Sequence, residues 1–318
     1  MPAITGLEEA MYRTIIVPLD GSPFAERAIA TAAAIAKRSG AELALVRVHE
    51  AYVYETTDYS RVDDQSRRDQ EEYLALVAER VERASGIQPR RALLDGVVAF
   101  AISAFAFSVE APLIVMSTHG RTGFSRLWLG SVADALVRHT STPVLMLRHQ
   151  NARAAADLGT PYRLENVLVP LDGSDDAELA LAHAMALAEP FGATVTLLRV
   201  VAPEPAPVAL YAAPYAGPPV EQFDETLNAR VDGAREYVDA VATRLRADKP
   251  NLVVHSDVRV SESPALAILE AATARAADTI AIVTHGRGLS RLVVASVVDK
   301  LLRAGPDAVL VARLPDTT

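Results

Sequence analysis

Two stretches of this chain are near copies of each other. Residues 15–48, IIVPLDGSPFAERAIATAAAIAKRSGAELALVRV, align without a gap to residues 167–200, VLVPLDGSDDAELALAHAMALAEPFGATVTLLRV, with 18 of 34 positions identical. A second echo follows in each half, MSTHGRTGFSRLWLGSVAD at 116–134 and IVTHGRGLSRLVVASVVD at 282–299. A repeat of about 150 residues is too long for a solenoid unit and has the size of a whole domain. The expected organisation is therefore a tandem duplication, with domains over 1–150 and 164–318 and a linker over 151–163.

Composition fits two compact domains. The chain has 318 residues, half of them hydrophobic, enough for two cores. A net charge of -9 and a pI near 5.3 argue against a nucleic-acid backbone or an anionic membrane as the main partner. With no cysteine, disulfides, zinc–thiolate sites and thiol catalysis are excluded. A cytoplasmic protein is expected, because MPAITGLEEAMYR lacks the basic-then-apolar pattern of a secretory signal.

One stretch calls for a membrane test. VVAFAISAFAFSV, Val97 to Val109, runs 13 residues between Gly96 and Glu110, short of the roughly 20 that span a bilayer. Its apolar residues go all the way round, unlike those of an ordinary surface helix. The expectation is a helix largely covered, with Phe100, Phe105 and Phe107 not all facing water. On an outer face, its patch should instead be an interface between chains.

Each half alternates strand and helix patterns. Strands are expected at 13–19, 42–49, 87–94, 112–117 and 143–148, and again at 165–171, 193–201, 252–260, 278–284 and 308–313. A helical pattern runs through Ala84 after a polar stretch from Ala51 to about Arg68, and Pro203–Pro219 reads as an irregular excursion. Strands alternating with helices imply an α/β fold: two tandem open, doubly wound, parallel five-stranded sheets with helices on both faces, Rossmann-like. Val144-Leu145-Met146-Leu147 and Val309-Leu310-Val311-Ala312 are short apolar fifth strands that would be aggregation-prone as open edges.

In such sheets ligands bind beyond the carboxyl ends of strands, where the strand order reverses. Asp20 and Asp172 close the first strands, Val48 and Val200 lie near the ends of the second, and the THGR loops follow the fourth. After Ser117-Thr118-His119-Gly120 come nine residues and then Gly130-Ser131, opening a helix. Free N–H groups at that start make an anion site, the Ser131 hydroxyl adds a donor, and Arg121 and Arg126 lie in the intervening loop, from which a guanidinium could reach a phosphate.

These residues resemble the universal stress proteins, in tandem form. The resemblance covers nearly the whole chain and rests on V-P-L-D-G-S, the second-strand ending L-x-R-V, and the S/T-H-G-R loop before Gly-Ser. It implies ATP binding with magnesium or another divalent cation, because ATP-binding members carry a glycine, two residues, a glycine, nine residues and then Gly-Ser or Gly-Thr. In the first half Ser117 stands at the leading glycine. By resemblance Pro18, Leu19, Asp20 and Val48 hold the adenosine end, and Met116 and Ser117 border the ribose. Gly120, Arg121, Gly130, Ser131 and Val132 serve the phosphates. The second half's counterparts are Pro170, Leu171, Asp172, Val200, Ile282, Val283, Gly286 and Ser296. There Val283 replaces the leading glycine, the loop is one residue shorter, and Ala295 replaces the glycine before serine. The resemblance also implies that the halves pair through their fifth strands, and a homodimer is a further possibility.

The implied role is a nucleotide-binding regulatory protein with at most slow ATP hydrolysis. His119 and His285 sit in the loops, but nothing in the sequence brings either within reach of a water. Three other readings stand beside it. An adenylating enzyme of a related fold would carry Ser-Gly-Gly after the first strand, where this chain has Asp20-Gly21-Ser22-Pro23. A phosphorelay receiver would need clustered acids around Asp20 and a lysine after the fifth strand, where Arg148 stands. The third is a scaffold of the same fold that binds no ligand.

Overall fold

The computed structural model describes residues 11–50, 58–118, 130–148, 162–203, 220–284 and 290–314, with backbone only for 58–61, 220–224 and 290–296. The first half runs β1 (Thr14–Pro18), α1 (Pro23–Glu26), α2 (Ala28–Ser39), β2 (Glu42–His49) and α3 (Asp58–Ser85). It continues through β3 (Arg90–Asp95), α4 (Val98–Ser108), β4 (Pro112–Ser117), α5 (Ser131–His139) and β5 (Val144–Leu147). The second half repeats the series as β6 (Asn166–Leu171), α6 (Asp175–Ala188), β7 (Thr194–Val201), α7 (Val220–Asp248) and β8 (Val254–Val260). It ends with α8 (Pro264–Ala274), β9 (Thr279–Thr284), α9 (Ser290–Ala304) and β10 (Ala308–Arg313).

The strands form one ten-stranded sheet, in the order β3-β2-β1-β4-β5-β10-β9-β6-β7-β8. Each half is parallel within itself. The halves meet edge to edge where β5 and β10 run antiparallel, with Leu145 opposite Leu310 and Met146 opposite Val309. The two five-stranded sheets expected from the sequence are thus fused into one, and each closes the other's fifth-strand edge.

Consecutive strand residues face opposite sides, so a strand covered on both sides must be apolar throughout. Ile15 and Ile16 are both fully buried. Ile15 joins a core under α2, α3, α6 and α7 that includes Leu45, Ile35 and Val81. Ile16 joins the core of the opposite face, under α4, α5, α8 and α9, with Val46, Ile102 and Leu136. Among the described residues no helix is long and apolar enough to cross a membrane.

The same turn opens both halves. Gly21 and Gly173 hold φ values of +84° and +85°, a region that disfavours a side chain. Ser22 and Ser174 then cap the next helix by accepting from Ala25 N–H at 3.2 Å and Ala177 N–H at 3.1 Å.

Three elements differ from the sequence expectation. β3 begins at Arg90, three residues later than the apolar run suggested. α3 begins at Asp58 rather than near Arg68. Its first turns lack an apolar stripe because polar bonds attach them: Asp63 Oδ1 lies 2.9 Å from His49 Nε2, and Arg67 pairs with Asp95. The apolar helix, expected to be largely covered, lies on an outer face. Ala101, Ile102, Phe105 and Ala106 point inward, while Phe100 and Phe107 are 77% and 91% exposed.

Candidate functional site

A cavity of about 340 Å³ opens at the carboxyl ends of β1, β2 and β4, beneath the start of α5. Strand order reverses between β1 and β4, the place where a doubly wound sheet leaves a crevice. Pro18, Leu19 and Asp20 line it from β1, Val48 from β2, and Met116 and Ser117 from β4. Gly130, Ser131 and Val132 close it at the helix start. The structure thus gathers around one cavity nine positions that lie more than 100 residues apart at the extremes. Gly120 and Arg121, like Arg126 and His119, lie outside the described residues.

The two ends of the cavity differ in chemistry. At the α5 end the first bond internal to the helix runs from Asp134 N–H to Gly130 O at 2.8 Å. The N–H groups of Ser131, Val132 and Ala133 therefore have no partner within the helix, and the helix dipole adds positive potential there. At the other end Asp20 Oδ1 accepts from Ser22 N–H at 2.8 Å, which orients the carboxylate across the turn. Between them the walls are apolar, from Val46, Val48, Val98, Ile102 and Met116.

Arg47 is the only cation among the described lining residues. Its guanidinium sits 5.0 Å from the centre of the Tyr73 ring. A Cβ at Gly21 would come within 2.7 Å of its Nη1. Behind it, the Tyr73 hydroxyl donates to Glu26 at 2.9 Å, and Arg80 pairs with the same carboxylate at 2.6 Å. Burial, followed by Glu26, pushes the Tyr73 hydroxyl above its ordinary range. The arrangement recurs in the second half, where Tyr237 and Arg244 hold Glu178.

Ser117 has a role that its place in the motif did not reveal. Its hydroxyl donates to Phe24 O at 2.7 Å, tying β4 to α1. Sequence reasoning missed the α4 wall, Val98 and Ile102. Its signal was the helix that is apolar on every side, one flank of which faces the cavity. Arg47, Glu50, Thr118 and Ala133 also line the cavity unanticipated, although Arg47 belongs to the L-x-R-V ending.

In the second half Pro170, Leu171 and Asp172 stand at the end of β6, Val200 near the end of β7, and Ile282 and Val283 near the end of β9. Asp172 accepts from Ser174 N–H at 2.9 Å, as Asp20 does from Ser22. Gly286 and His285 lie outside the described residues. Ser296 does not open a helix as Ser131 does, which corrects the expectation. α9 starts at Ser290, so Ser296 is its seventh residue and its N–H falls past the four free donors of a helix start. With Ala295 in place of the glycine, the helix runs on through this position.

Among the described residues no group of three or more His, Cys, Asp or Glu side chains is placed to hold a metal ion. A divalent cation at the site would be held mainly by phosphate oxygens and water, as magnesium commonly is.

Comparison with known proteins accounts for both halves. The model of the universal stress protein family matches residues 11–148 and again 163–313. A universal stress protein of Mycobacterium tuberculosis is 28% identical over 325 residues, covering 95% of each chain. One from Methanocaldococcus jannaschii is 32% identical over 149 residues, covering 44% of this chain and 84% of its own. Among solved structures, a universal stress protein from Archaeoglobus fulgidus superposes with a TM-score of 0.65 at 21% identity, covering 95% of this chain and 98% of its own. With the fold shared across 95% of the chain and the family model matched twice, the chain belongs to the universal stress protein family, in its tandem form.

Proposed function

We propose that the first half binds an adenine nucleotide, ATP with magnesium or another divalent cation, and that the protein regulates through its bound state rather than by rapid turnover. One observation carries this reading: the N–H groups of Ser131, Val132 and Ala133, unpaired within α5, open onto the same cavity as Asp20 and the apolar walls. A phosphate end and a base-and-ribose end are thereby separated across one crevice. The spacing Gly120, nine residues, Gly130-Ser131 that resembles ATP-binding members supports the same reading.

The second half binds the same ligand more weakly or stays empty. At Ser296 the helix is already two turns along, so the donors that Ser131 and Val132 offer are spent in the helix ladder.

Calorimetry of ATP with magnesium against the full chain tests this. Binding at one site, abolished by Gly130→Val, is the expected result. Unchanged binding in that variant, or no binding by the parent chain, overturns the assignment. A slow or undetectable rate of phosphate release in the same solution supports the regulatory role, and rapid turnover overturns it.

A further inference from the structure

The outward face of α4 carries a stripe that the fold does not require. Val97, Phe100 and Phe107 are 72%, 77% and 91% exposed, and Ala104 between the two phenylalanines is exposed as well. Steps of four and three residues put Phe100, Ala104 and Phe107 on one line along the helix, the seam spacing by which one helix packs on another, and Val97 stands ahead of them as the N-cap. Not one residue of α4 is charged.

The duplication supplies its own control. α8 is the counterpart of α4, 11 residues long and likewise placed after the third strand of its half. The inward positions agree: Ala101, Ile102, Phe105 and Ala106 correspond to Ala267, Ile268, Ala271 and Ala272, all buried. The outward ones do not. Where α4 has Val97, Phe100, Ala104 and Phe107, the second half has Ser263, Leu266, Glu270 and Thr273. The same helix in the same fold thus tolerates a mostly polar outer face, and packing among the described residues does not require the stripe.

We propose that this face of α4 is where a second copy of the chain docks, with two α4 helices packed antiparallel about a twofold axis. An uncharged stripe is complementary to itself, as an interface repeated on both partners must be. Ala104 between the phenylalanines leaves room for the facing ring. The acids at the two ends of the helix are neutralised within their own chain, Asp95 by Arg67 and Glu110 by Arg13 at 3.1 Å. Two stripes meeting would bury on the order of 900 Å² from the valine and phenylalanine side chains alone. With the flanking serines this reaches about 1,000 Å², the lower bound of a specific interface. The asymmetry between the halves also fixes the product. With one apolar face of two equivalent positions, association closes at a dimer. Two such faces would link chains into a filament.

Sedimentation velocity on the full chain, without nucleotide, over a range of concentrations tests the proposal. A reversible dimer is expected. Phe107→Lys should raise its dissociation constant at least about 30-fold, the effect of replacing an aromatic anchor by a charge. Leu266→Lys, at the equivalent place in the second half, should leave it within about twofold. Because the chain has no native cysteine, a spin label at Ser103→Cys, beside the stripe and clear of the gap at Ala104, reports the geometry. A short distance between labels on two copies is expected. A chain that stays monomeric, a dimer indifferent to Phe107→Lys, or labels far apart within the dimer would each overturn it.

Discussion

The hydroxyl of Tyr12, just ahead of β1, lies 2.7 Å from Nδ1 of His183, on α6 of the other half, within hydrogen-bond distance. The rings stack with centroids 6.0 Å apart. Residues from the two copies of the duplicated domain are thus joined by a polar contact on the face of the sheet that α2, α3, α6 and α7 cover. Burial pushes the Tyr12 hydroxyl above its ordinary range and lowers the His183 imidazole to about 4. The histidine is therefore a neutral ring in the folded chain.

That lowered value sets a pH dependence. Between about 6.5 and about 4 the unfolded chain binds a proton at His183 that the folded chain does not. The contribution is therefore fully present above pH 6.5 and is lost as pH falls toward 4, by about 2 kcal/mol after allowing for partial solvent screening. Urea denaturation across this range should show the loss in the parent chain and not in His183→Gln. An equal slope in both would remove His183 as its source.

Ser117→Ala should cost about 1 kcal/mol, because the Phe24 carbonyl loses its donor. It should leave nucleotide affinity within twofold, since the hydroxyl is committed to α1. Denaturation and calorimetry on the same sample separate the two effects. A large loss of affinity with stability unchanged would mean that the hydroxyl serves the ligand.

Asp20→Ala should weaken ATP binding by about 1.5–3 kcal/mol, the range for a hydrogen bond to a charged group. Asp172→Ala should matter less, because the second half lacks a helix start at Ser296. Both variants are best measured in the full chain, where the β5 and β10 edges stay paired. Equal losses would show that both halves bind alike.

Leu145 and Leu310 face each other across the join, each at most 1% exposed. Leu310→Asp should destabilise by at least about 3 kcal/mol, from lost burial and an unpaired buried charge. It should also promote aggregation by loosening two fifth-strand edges. Light scattering during thermal unfolding would show this. A soluble variant with an unchanged midpoint would mean that the join contributes little.

Gly21→Ala and Gly173→Ala share the cost of a side chain at positive φ, about 1 kcal/mol each. They differ in the neighbour met, Arg47 at 2.7 Å against Arg199 at 3.7 Å. Arg47 can move aside, so the difference should appear in ligand affinity rather than stability. Calorimetry should find nucleotide binding weakened in Gly21→Ala alone.

Much of this was legible in one dimension because it is written in backbone period and repetition. The gapless repeat disclosed the duplication. Apolar runs such as Val144-Leu145-Met146-Leu147 disclosed strands, and the burial of all four residues shows why no polar alternation interrupts them. Asp20 and Gly130-Ser131 could be placed at one crevice because a doubly wound sheet brings those strand ends together wherever they fall in the chain.

What the tertiary structure alone decided concerns direction. Hydrophobicity states that Phe100, Phe105 and Phe107 avoid water. It does not say which of them the sheet covers, and only Phe105 is buried. The hydroxyl of Ser117 turns toward Phe24 because α1 passes there. Ser296 lies inside a helix because no glycine halts α9. Tyr12 and His183, 171 residues apart, meet because the fifth strands pair antiparallel and bring the two halves together. Such relationships depend on where distant elements come to rest, and local periodicity carries no record of that.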